Sequence, residues 1–545
     1  MSTTRRRPIV KKPWFWAFVG LLGVLVFLVS AFFAVVPMSS DVLRQRIITT
    51  LSRELDGDVE LGALSIRVFP GLRADGADLR IRLRGTPADM PPLINVKSFH
   101  VDASLLRLWR KHVDHVQLDG LDISIPPKQV RVQQKEAGRA ADAKQPANPA
   151  PKPTPEEKRQ DPLKTRGVVL DRIDTNDARL IIVPGKPEKA PKVWAIHHLR
   201  MHKLGSIESW PFEATLTNGV PPGEIQVDGK FGPWDRNVPG DTPLGGSFNF
   251  EKADLSVFKG IAGTLASYGW FGGTLDQLEA NGETDTPDFT IKVGGHPFPL
   301  HVKYTALIDG TNGDTHLKNV DAWFLNSFVH AVGAVLDGPK GEKGRTVSLD
   351  VTMDKSRIED IMKMVVKAST PPMTGALQMT TKFLLPPGDK DVVEKLQLDG
   401  RFAIARATFT NYDVQGKIEE LSKRGSAKTA AATREHVASD FQGRFKLANG
   451  RLELPELTFS VPGAGVQLAG VYGLTTETMD FTGKLLLDAK ISQTVTGFKS
   501  VLLKAVDPLF TQKDGTGSAI PIRIGGTRSA PAFGLDVKKV MKKGD

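Results

Sequence analysis

Two stretches of the sequence decide the fold: LQLDGRFAI at Leu396–Ile404 and VQLAGVY at Val466–Tyr472. In both, apolar residues alternate with polar or small ones at a period of two, which is the pattern of a strand with one buried side. The same phrase, which is apolar, Gln, apolar, Asp or Ala, and then Gly, recurs at Val116–Gly120 and Ile225–Gly229. The sequence therefore predicts a protein built mainly from strands.

The glycine of this phrase falls on the apolar side of its strand, because side chains two residues apart share a face. After Gly229, Gly400 and Gly470 the alternation continues onto an aromatic residue two positions later. A missing side chain there would let the sheet bend or would leave room on the apolar face. A bulge or the start of a hairpin explains the glycines equally well, and both interpretations stay open.

Alternation of this kind continues over most of the chain, with roughly twenty strands and little helix to cover them. Sheets packed face to face as a sandwich would satisfy the pattern. We instead predict an elongated, twisted antiparallel β-sheet that curls around its own apolar face into a groove, with a few amphipathic helices. The expected segments are an N-terminal helix and β-meander, a disordered insert, a central β region, a polar insert and a C-terminal β region: 38–126, 127–165, 166–421, 422–438 and 439–537.

Candidate groove-lining residues follow from the apolar positions of these strands. They are Phe231, Leu396, Leu398, Phe402, Ile404, Val466, Leu468, Tyr472, Leu485 and Leu487. Apolar residues at helical spacing predict three helices, at 40–55, 358–365 and 491–507, and the second and third are expected to cover a sheet from one side. The third is expected to cap or plug the groove end with a further set of residues: Val495, Phe498, Leu502, Leu503 and Val506.

A membrane anchor is predicted at Trp14–Val36, an uncharged run of 23 residues that is long enough to span a bilayer. Its representative residues are Trp14, Trp16, Leu21, Leu25 and Phe32. A cleaved signal peptide would have a shorter apolar region and a small-residue cleavage site, so the sequence favours an uncleaved anchor. The five basic residues of the preceding tail at 1–13 predict a cytoplasmic N-terminus, with the rest of the chain on the other side of the membrane.

The formal net charge of +11 is not that of a nucleic-acid binder, because it is concentrated outside the β regions. The first dozen residues carry +5, the insert 127–165 carries +4 and the residues from Val537 onward carry +3, so that the remainder is nearly neutral at −1. Basic ends, including the tail 538–545, suit an anionic membrane surface, and phospholipids are the predicted partner. We expect no nucleic-acid partner.

No catalytic or cofactor motif is recognisable, and we expect neither an enzyme nor a cofactor protein. The chain has no cysteine, and it lacks nucleophile-elbow, Walker and zinc-protease signatures. The best metal candidates are two histidine clusters, His197-His198-x-x-x-His202 and His112-x-x-His115. In a strand, His197 would point away from His198 and His202, and that basic segment has no acidic ligand nearby, while the second cluster lies where a short helix joins a strand. We therefore predict no bound metal.

The sequence resembles the AsmA family at both ends. The helix at 40–55 is followed by GDVELGALSIRVFPGLRADGADLRIR at Gly57–Arg82. Near the C-terminus, VASDFQGRFKLANGRLELPELTFSVPGAGVQLAGVYGL at Val437–Leu474 leads to IPIRIGGTRSAPAFGLDV at Ile520–Val537, and this succession resembles the C-terminal region of AsmA-like proteins.

The resemblance implies a single-pass bacterial inner-membrane protein whose bulk faces the periplasm. It implies a β-groove related to those of TamB and the bridge-like lipid-transfer proteins, and hence a part in lipid transport or envelope biogenesis, with other envelope proteins as further partners. It implies no catalytic residues. The main alternative is a periplasmic scaffold that assists the assembly of outer-membrane proteins without carrying lipid; an envelope hydrolase is a second alternative, for which the sequence has no motif.

Overall fold

The structure is a computed structural model. It describes residues 41–535, apart from short gaps and three long ones: 56, 68–70, 84–85, 88, 105, 108–109, 128–129, 131, 134–168, 186–189, 235–240, 340–341, 343, 366, 368–369, 411–438, 489–517 and 528–529. The described residues are mainly strands in large open sheet structure of mixed direction, with few helices. The chain divides into two compact units. Unit 1 contains 1–218 and 225–246, and unit 2 contains 219–224 and 247–545.

The described part of unit 1 starts with helix α1 (Asp41–Leu55), and nine strands follow it. These are β1 (Gly57–Glu60), β2 (Leu64–Arg67), β3 (Leu72–Leu83), β4 (Ile94–Ala103), β5 (His112–Val113), β6 (His115–Ile125), β7 (Val169–Ile182), β8 (Lys192–Leu204) and β9 (Trp210–Gly219). Ile47 and Ile48 of α1 pack against buried Leu61, Leu64 and Ile66, so the helix covers the sheet with its apolar side, as its sequence pattern predicts.

Strand β7 pairs in parallel with both β5 and β6, whereas the neighbouring pairs β4–β6, β7–β8 and β8–β9 are antiparallel. The prediction of a wholly antiparallel sheet is therefore wrong at this point. Parallel neighbours need a long connection, and residues 126–168 between β6 and β7 supply one. Val96, Leu121 and Ala178, which lie on β4, β6 and β7, form a buried cluster across this pairing.

Three strands contain the points at which the chain passes between the units: β9 and two further strands, β10 (Pro222–Phe231) and β11 (Leu244–Asp254). The remaining strands belong to unit 2. They are β12 (Ile261–Ala262), β13 (Thr264–Thr274), β14 (Gln277–Ile291), β15 (Pro297–Ile308), β16 (Thr315–Phe324), β17 (Ser327–Asp337), β18 (Arg345–Arg357), β19 (Met373–Leu385), β20 (Gln397–Phe409), β21 (Ser439–Ala448), β22 (Arg451–Val461), β23 (Ala464–Gly473), β24 (Met479–Leu487), β25 (Ser518–Gly526) and β26 (Pro531–Leu535).

From β13 to β26 each strand of unit 2 pairs antiparallel with the next one in sequence, which gives a continuous meander. Among the described residues, two helices interrupt this meander, α2 (Ile358–Val365) and α3 (Val392–Lys395), and a 3-10 turn at Leu255–Val257 precedes it, between β11 and β12. The helix predicted at 358–365 is confirmed, and it lies between β18 and β19. The main core of unit 2 lies beneath it.

Candidate functional site

One face of unit 2 is apolar along many strands, and we call it the apolar face. The strand register shows this directly, because a row of Cα partners crosses six consecutive strands and all of its members are apolar. The row consists of Ile404, Phe441, Phe459, Val466, Leu485 and Ile520. A second row on the same face contains Leu398, Leu447, Leu452, Tyr472 and Met479. Sequence alternation and strand pairing therefore place the same residues on one surface.

The structure brings together most of the predicted groove-lining residues on this face. They are Leu398, Phe402, Ile404, Val466, Leu468, Tyr472, Leu485 and Leu487. Ile404 and Leu487 are buried, at 4% and 5% exposure, while the others are only half-buried. A large apolar surface thus stays partly open to solvent, and the lining of a groove by these residues remains a prediction.

Two predicted groove residues lie elsewhere. Leu396 precedes β20, and its amide donates to the carbonyl of Val392, so it ends helix α3 and does not extend the strand. Phe231 belongs to unit 1, where its ring lies 6.1 Å from that of Trp210 and 5.9 Å from that of Trp234. The placement of Leu396 on the apolar strand is therefore wrong, because the helical turn of α3 ends at this residue and the strand starts after it.

The opposite face of the same strands is polar, and we call it the polar face. Arg401 and Arg444 are Cα partners on β20 and β21, each next in sequence to an apolar-face residue. Lys446 Nζ lies 3.7 Å from Asp399 Oδ2 on the neighbouring strand, and both side chains are exposed. The side chains of adjacent residues thus lie on the apolar face and on the polar face in turn. Such neighbours are matched pairs of sites for experiments.

Aromatic rings cover several strand glycines, among them Gly400 and Gly229 of the recurring phrase and Gly443 outside it. Gly400 pairs with Phe445, and a Cβ at Gly400 would lie 2.9 Å from Cζ of that ring. Gly443 pairs with Phe402, and a Cβ there would lie 3.3 Å from Cε1 of its ring. In unit 1, Cβ of residue 229 would meet the Phe212 ring at 2.9 Å. Of the interpretations left open for the phrase, unfilled room does not hold at Gly400 and Gly229, because rings from neighbouring strands occupy it.

Gly470 follows the same rule with Phe481 as its cross-strand partner. Gly120 differs, because it has a φ of 63° and a Cβ there would meet Lys97 and no aromatic ring. A left-handed backbone is easy for glycine and unfavourable for other residues. The four copies of the phrase therefore share a sequence pattern but serve two structural purposes.

Helix α2 is fixed onto the apolar face by two carboxylates at its first turn. Asp360 is 1% exposed, and its Oδ2 accepts hydrogen bonds from the amide of Asn326 at 2.9 Å and from the hydroxyl of Ser327 at 2.8 Å. Glu359 accepts from Arg357 Nε at 2.7 Å and from the amide of Gly375 at 3.0 Å. These contacts tie the helix to the β16–β17 turn and to β19.

The pKa of Glu359 in the folded chain is lower than its ordinary value. Burial alone would raise the pKa, but hydrogen bonds from the backbone, from Arg357 and from Gly375 to the carboxylate outweigh it. The apolar positions of the helix follow from its sequence, but the contacts of its two acids were not predicted. Acidic residues in a first helical turn are favourable and often bind backbone amides, so their position was a signal, although the sequence does not show which distant partners they bind.

The histidine clusters are divided among different polar neighbours. His112 Nδ1 lies 3.1 Å from Asp171 Oδ1, and His115 Nε2 lies 2.8 Å from Asp174 Oδ2. In the other cluster, His197 Nε2 lies near Thr217 Oγ1 at 2.6 Å and His198 Nδ1 near Asn176 Oδ1 at 3.1 Å, while His202 pairs in register with Arg172. Within the described part of the chain, no three His, Asp or Glu residues converge as metal ligands.

Asp174 is the centre of a charged network on the parallel strand pair, although it is only 6% exposed. Its carboxylate lies 2.7 Å from Arg200 Nε, 2.7 Å from Arg172 Nε and 2.8 Å from His115 Nε2. Burial would raise the pKa of Asp174, but the hydrogen bonds from Arg200 and His115 and the charge of Arg172 hold it below the ordinary 3.8. On the same strand pair, Arg179 binds both oxygens of Asp122 at 2.7 Å.

Several predictions lie outside the described residues. They concern the anchor residues Trp14, Trp16, Leu21, Leu25 and Phe32, the tails 1–13 and 538–545, the insert 422–438 and most of 127–165, and the helix residues Val495, Phe498, Leu502, Leu503 and Val506. Among the helices that the structure does describe, none has the length and apolar character needed to cross a membrane.

Comparison of the chain with family models, with curated proteins and with solved structures gives no match. The resemblance to AsmA-like proteins therefore rests on the residues at the two ends of the chain quoted above. The geometry adds a meander with one half-open apolar face and one polar face.

Proposed function

We propose that this chain is an AsmA-like protein of the bacterial envelope that holds phospholipid acyl chains on the apolar face of unit 2. It thereby supports lipid transport or outer-membrane biogenesis. The segment Trp14–Val36 anchors it in the inner membrane with the N-terminus in the cytoplasm, and the bulk of the chain lies in the periplasm. The proposal assigns no enzymatic reaction.

The observation that carries the proposal is the half-open apolar face. Phe402, Val466, Leu468 and Leu485 lie on this face in three different strands, and each is only half-buried. Soluble proteins rarely leave a contiguous apolar surface of this kind without a partner, because each square ångström removed from water is worth about 25 cal/mol. A partner that covers many strands without specific polar contacts is favoured.

Acyl chains meet that requirement. They have no hydrogen-bonding groups, so they need only apolar contacts and leave no buried polar atom unpaired. A protein partner would bring backbone amides and carbonyls onto the apolar face, and these would need acceptors and donors that the half-buried Phe, Leu and Val side chains do not offer. A predicted anchor in a lipid bilayer also keeps the chain next to its ligand source.

The experiment is photocrosslinking in the full-length chain, expressed in a bacterium with two membranes. Benzoylphenylalanine is placed at Leu468 and, in a second variant, at Phe402, both on the apolar face. The matched controls place it at the adjacent positions Gln467 and Arg401, which lie on the polar face of the same strands. After irradiation, adducts are identified by mass spectrometry of the purified chain.

We expect phospholipid adducts at Leu468 and Phe402 and several-fold fewer at Gln467 and Arg401. Lipid adducts of equal yield on both faces would contradict specific binding to the apolar face. Protein adducts in place of lipid at the two apolar positions would instead support the alternative of a scaffold for outer-membrane protein assembly.

A further inference from the structure

Helix α2 closes one margin of the apolar face. Ile361, Met362 and Met364 of the helix pack against a buried cluster to which several strands contribute one large side chain near the same end: Phe298, Phe324, Met353, Leu377 and Ile404. The carboxylates of Asp360 and Glu359 fix the helix to the turn between β16 and β17 and to β19. We call this end of the strands the α2 margin.

On β18 and β20, burial falls with distance from the α2 margin, whereas on β15 Ala306, near the opposite end, is 2% exposed. On β18, Met353 is 2% exposed, whereas Leu349, four residues away on the same face, is half-buried. On β20, Ile404 is 4% exposed and Leu398 is half-buried. On β18 and β20 the apolar face is therefore covered at the α2 margin and half-open farther along the strands.

The opposite margin is polar. It consists of the hairpin turns that join β15 to β16 and β17 to β18. There the Arg345 guanidinium lies 3.2 Å from Asp314 Oδ1 and donates to the carbonyl of Asn312 at 2.6 Å. Next to them Lys395 Nζ donates to the carbonyl of Gly388 at 2.7 Å. Strand β18 thus runs from a covered apolar end near Met353 to a charged end at Arg345.

The distance between the two margins fits the length of an acyl chain. Ile404 and Leu398 are six residues apart on one strand, and at about 3.4 Å per residue the open floor between them is roughly 20 Å wide. One leaflet of a bilayer contributes about half of the 30 Å hydrocarbon core, or roughly 15 Å. An acyl chain laid along the strands, with its end at α2, reaches the open part of the face and places its headgroup towards the polar margin.

We infer that α2 is the end stop for acyl chains on this face, and that Ile361 selects for chain length. This inference rests on the proposed function, and it adds the orientation of the lipid and the residue that determines specificity. The tails lie along β18–β20 with their ends at α2, and the headgroups face the opposite end of these strands, where Arg345 and Lys395 lie. A lipid that runs across the strands would not meet α2 with its chain end.

The test compares the lipids held by the full-length wild-type chain with those held by Ile361→Ala and Ile361→Val. The chains are extracted from membranes in mild detergent, and the bound phospholipids are identified by mass spectrometry relative to the total membrane lipid. Val365→Ala is the matched control, because Val365 lies on the same helix and is 49% exposed. Ile361→Val retains most of the side chain and protects the test against loss of folding in the alanine variant.

We expect Ile361→Ala to shift the bound acyl chains towards greater length by roughly one to two carbons, since the substitution removes three carbon atoms at the end stop. Ile361→Val should give a smaller shift in the same direction, and Val365→Ala should give none. An unchanged chain-length distribution in both Ile361 variants, with lipid still bound, would overturn the end stop and leave the proposed function standing. Absence of phospholipid from the wild-type chain would overturn the proposed function itself.

Discussion

The two units hold neighbouring strands in register by different means. In unit 1, β6 and β7 are parallel and are separated in sequence by residues 126–168, and charged pairs such as Arg179–Asp122 join them. In unit 2, each strand from β13 onward pairs with its successor, most through short turns, and apolar residues and glycine–aromatic pairs line one face. Strands that are close in sequence have their register fixed largely by the turn.

Charged pairs and apolar contacts are needed in different places, depending on how the paired strands are connected. A long connection leaves the register of a parallel pair free, and hydrogen-bonded charges of fixed geometry restrict it. A meander needs no such restraint, so its side chains are free to form one continuous apolar surface. The polar contacts of unit 1 and the apolar face of unit 2 should therefore respond differently to substitution, to pH and to small changes in volume.

The largest effect is expected from Met353→Ala, which creates a cavity beneath α2. Met353 is 2% exposed, and loss of a buried Met side chain costs about 2–5 kcal/mol. The free energy of opening, measured by amide hydrogen exchange, should fall by that amount in β18 and β19 and fall far less in β6 and β7. Leu336→Ala, at a position that is 37% exposed on β17, is the control and should change little. A uniform fall in both units would contradict a local core.

Elements whose cause is local could be predicted from the sequence. Alternation at Val466–Tyr472 and helical spacing at Ile358–Val365 both reflect one buried side, and the structure confirms both elements. The parallel pairing of β6 with β7 could not be predicted, because it depends on which distant strand the chain meets after residues 126–168. Nothing in the alternation of a strand states the direction of its neighbour.

The site was predicted in part for the same reason. Residues two apart in a strand share a face, so the alternation of the sequence places most candidates, including Leu468 and Leu485, on the apolar face. The rings over Gly400 and Gly443 could not be predicted, because each glycine and its covering ring lie on different strands. The sequence of one strand does not determine its register with the next. Asp360 was missed because its partners, Asn326 and Ser327, are more than thirty residues away.

A smaller and pH-dependent effect is expected from Asp174→Asn in the charged network of unit 1. Loss of the hydrogen bonds between the carboxylate and its Arg and His partners should cost about 1.5–3 kcal/mol at neutral pH. The pKa of Asp174 is lower in the folded chain than its ordinary 3.8, so its stabilisation is fully present above that value. The difference between wild type and Asp174→Asn should therefore hold down to about pH 5 and shrink as the pH falls through 4 and below.

Hydrogen exchange of the β6 and β7 amides, measured over a range of pH, checks this prediction. Asp177→Asn is the matched control, because Asp177 lies on the same strand with an exposed side chain. Its positive φ of 55° also suits asparagine, so the same chemical change should cost little there. An equal loss for the two variants, or a difference that grows in acid, would show that the charges around Asp174 do not hold the parallel pair.

The smallest effect is expected where a single methyl group is added to the meander. In Gly400→Ala the new Cβ would lie 2.9 Å from the Phe445 ring and close to the carbonyl of Thr380, so the strands must separate or the ring must rise. Such overpacking costs roughly 1–2 kcal/mol.

Gly465→Ala is the matched control on β23, because its nearest neighbour, the Phe459 carbonyl oxygen, is 3.9 Å away. That variant should be neutral or slightly stabilising, since alanine restricts the unfolded chain more than glycine does. Urea denaturation measures the stability of both variants. Equal stability would mean that the Phe445 ring and the Thr380 carbonyl move aside, and that the apolar face has room for an additional methyl group at Gly400.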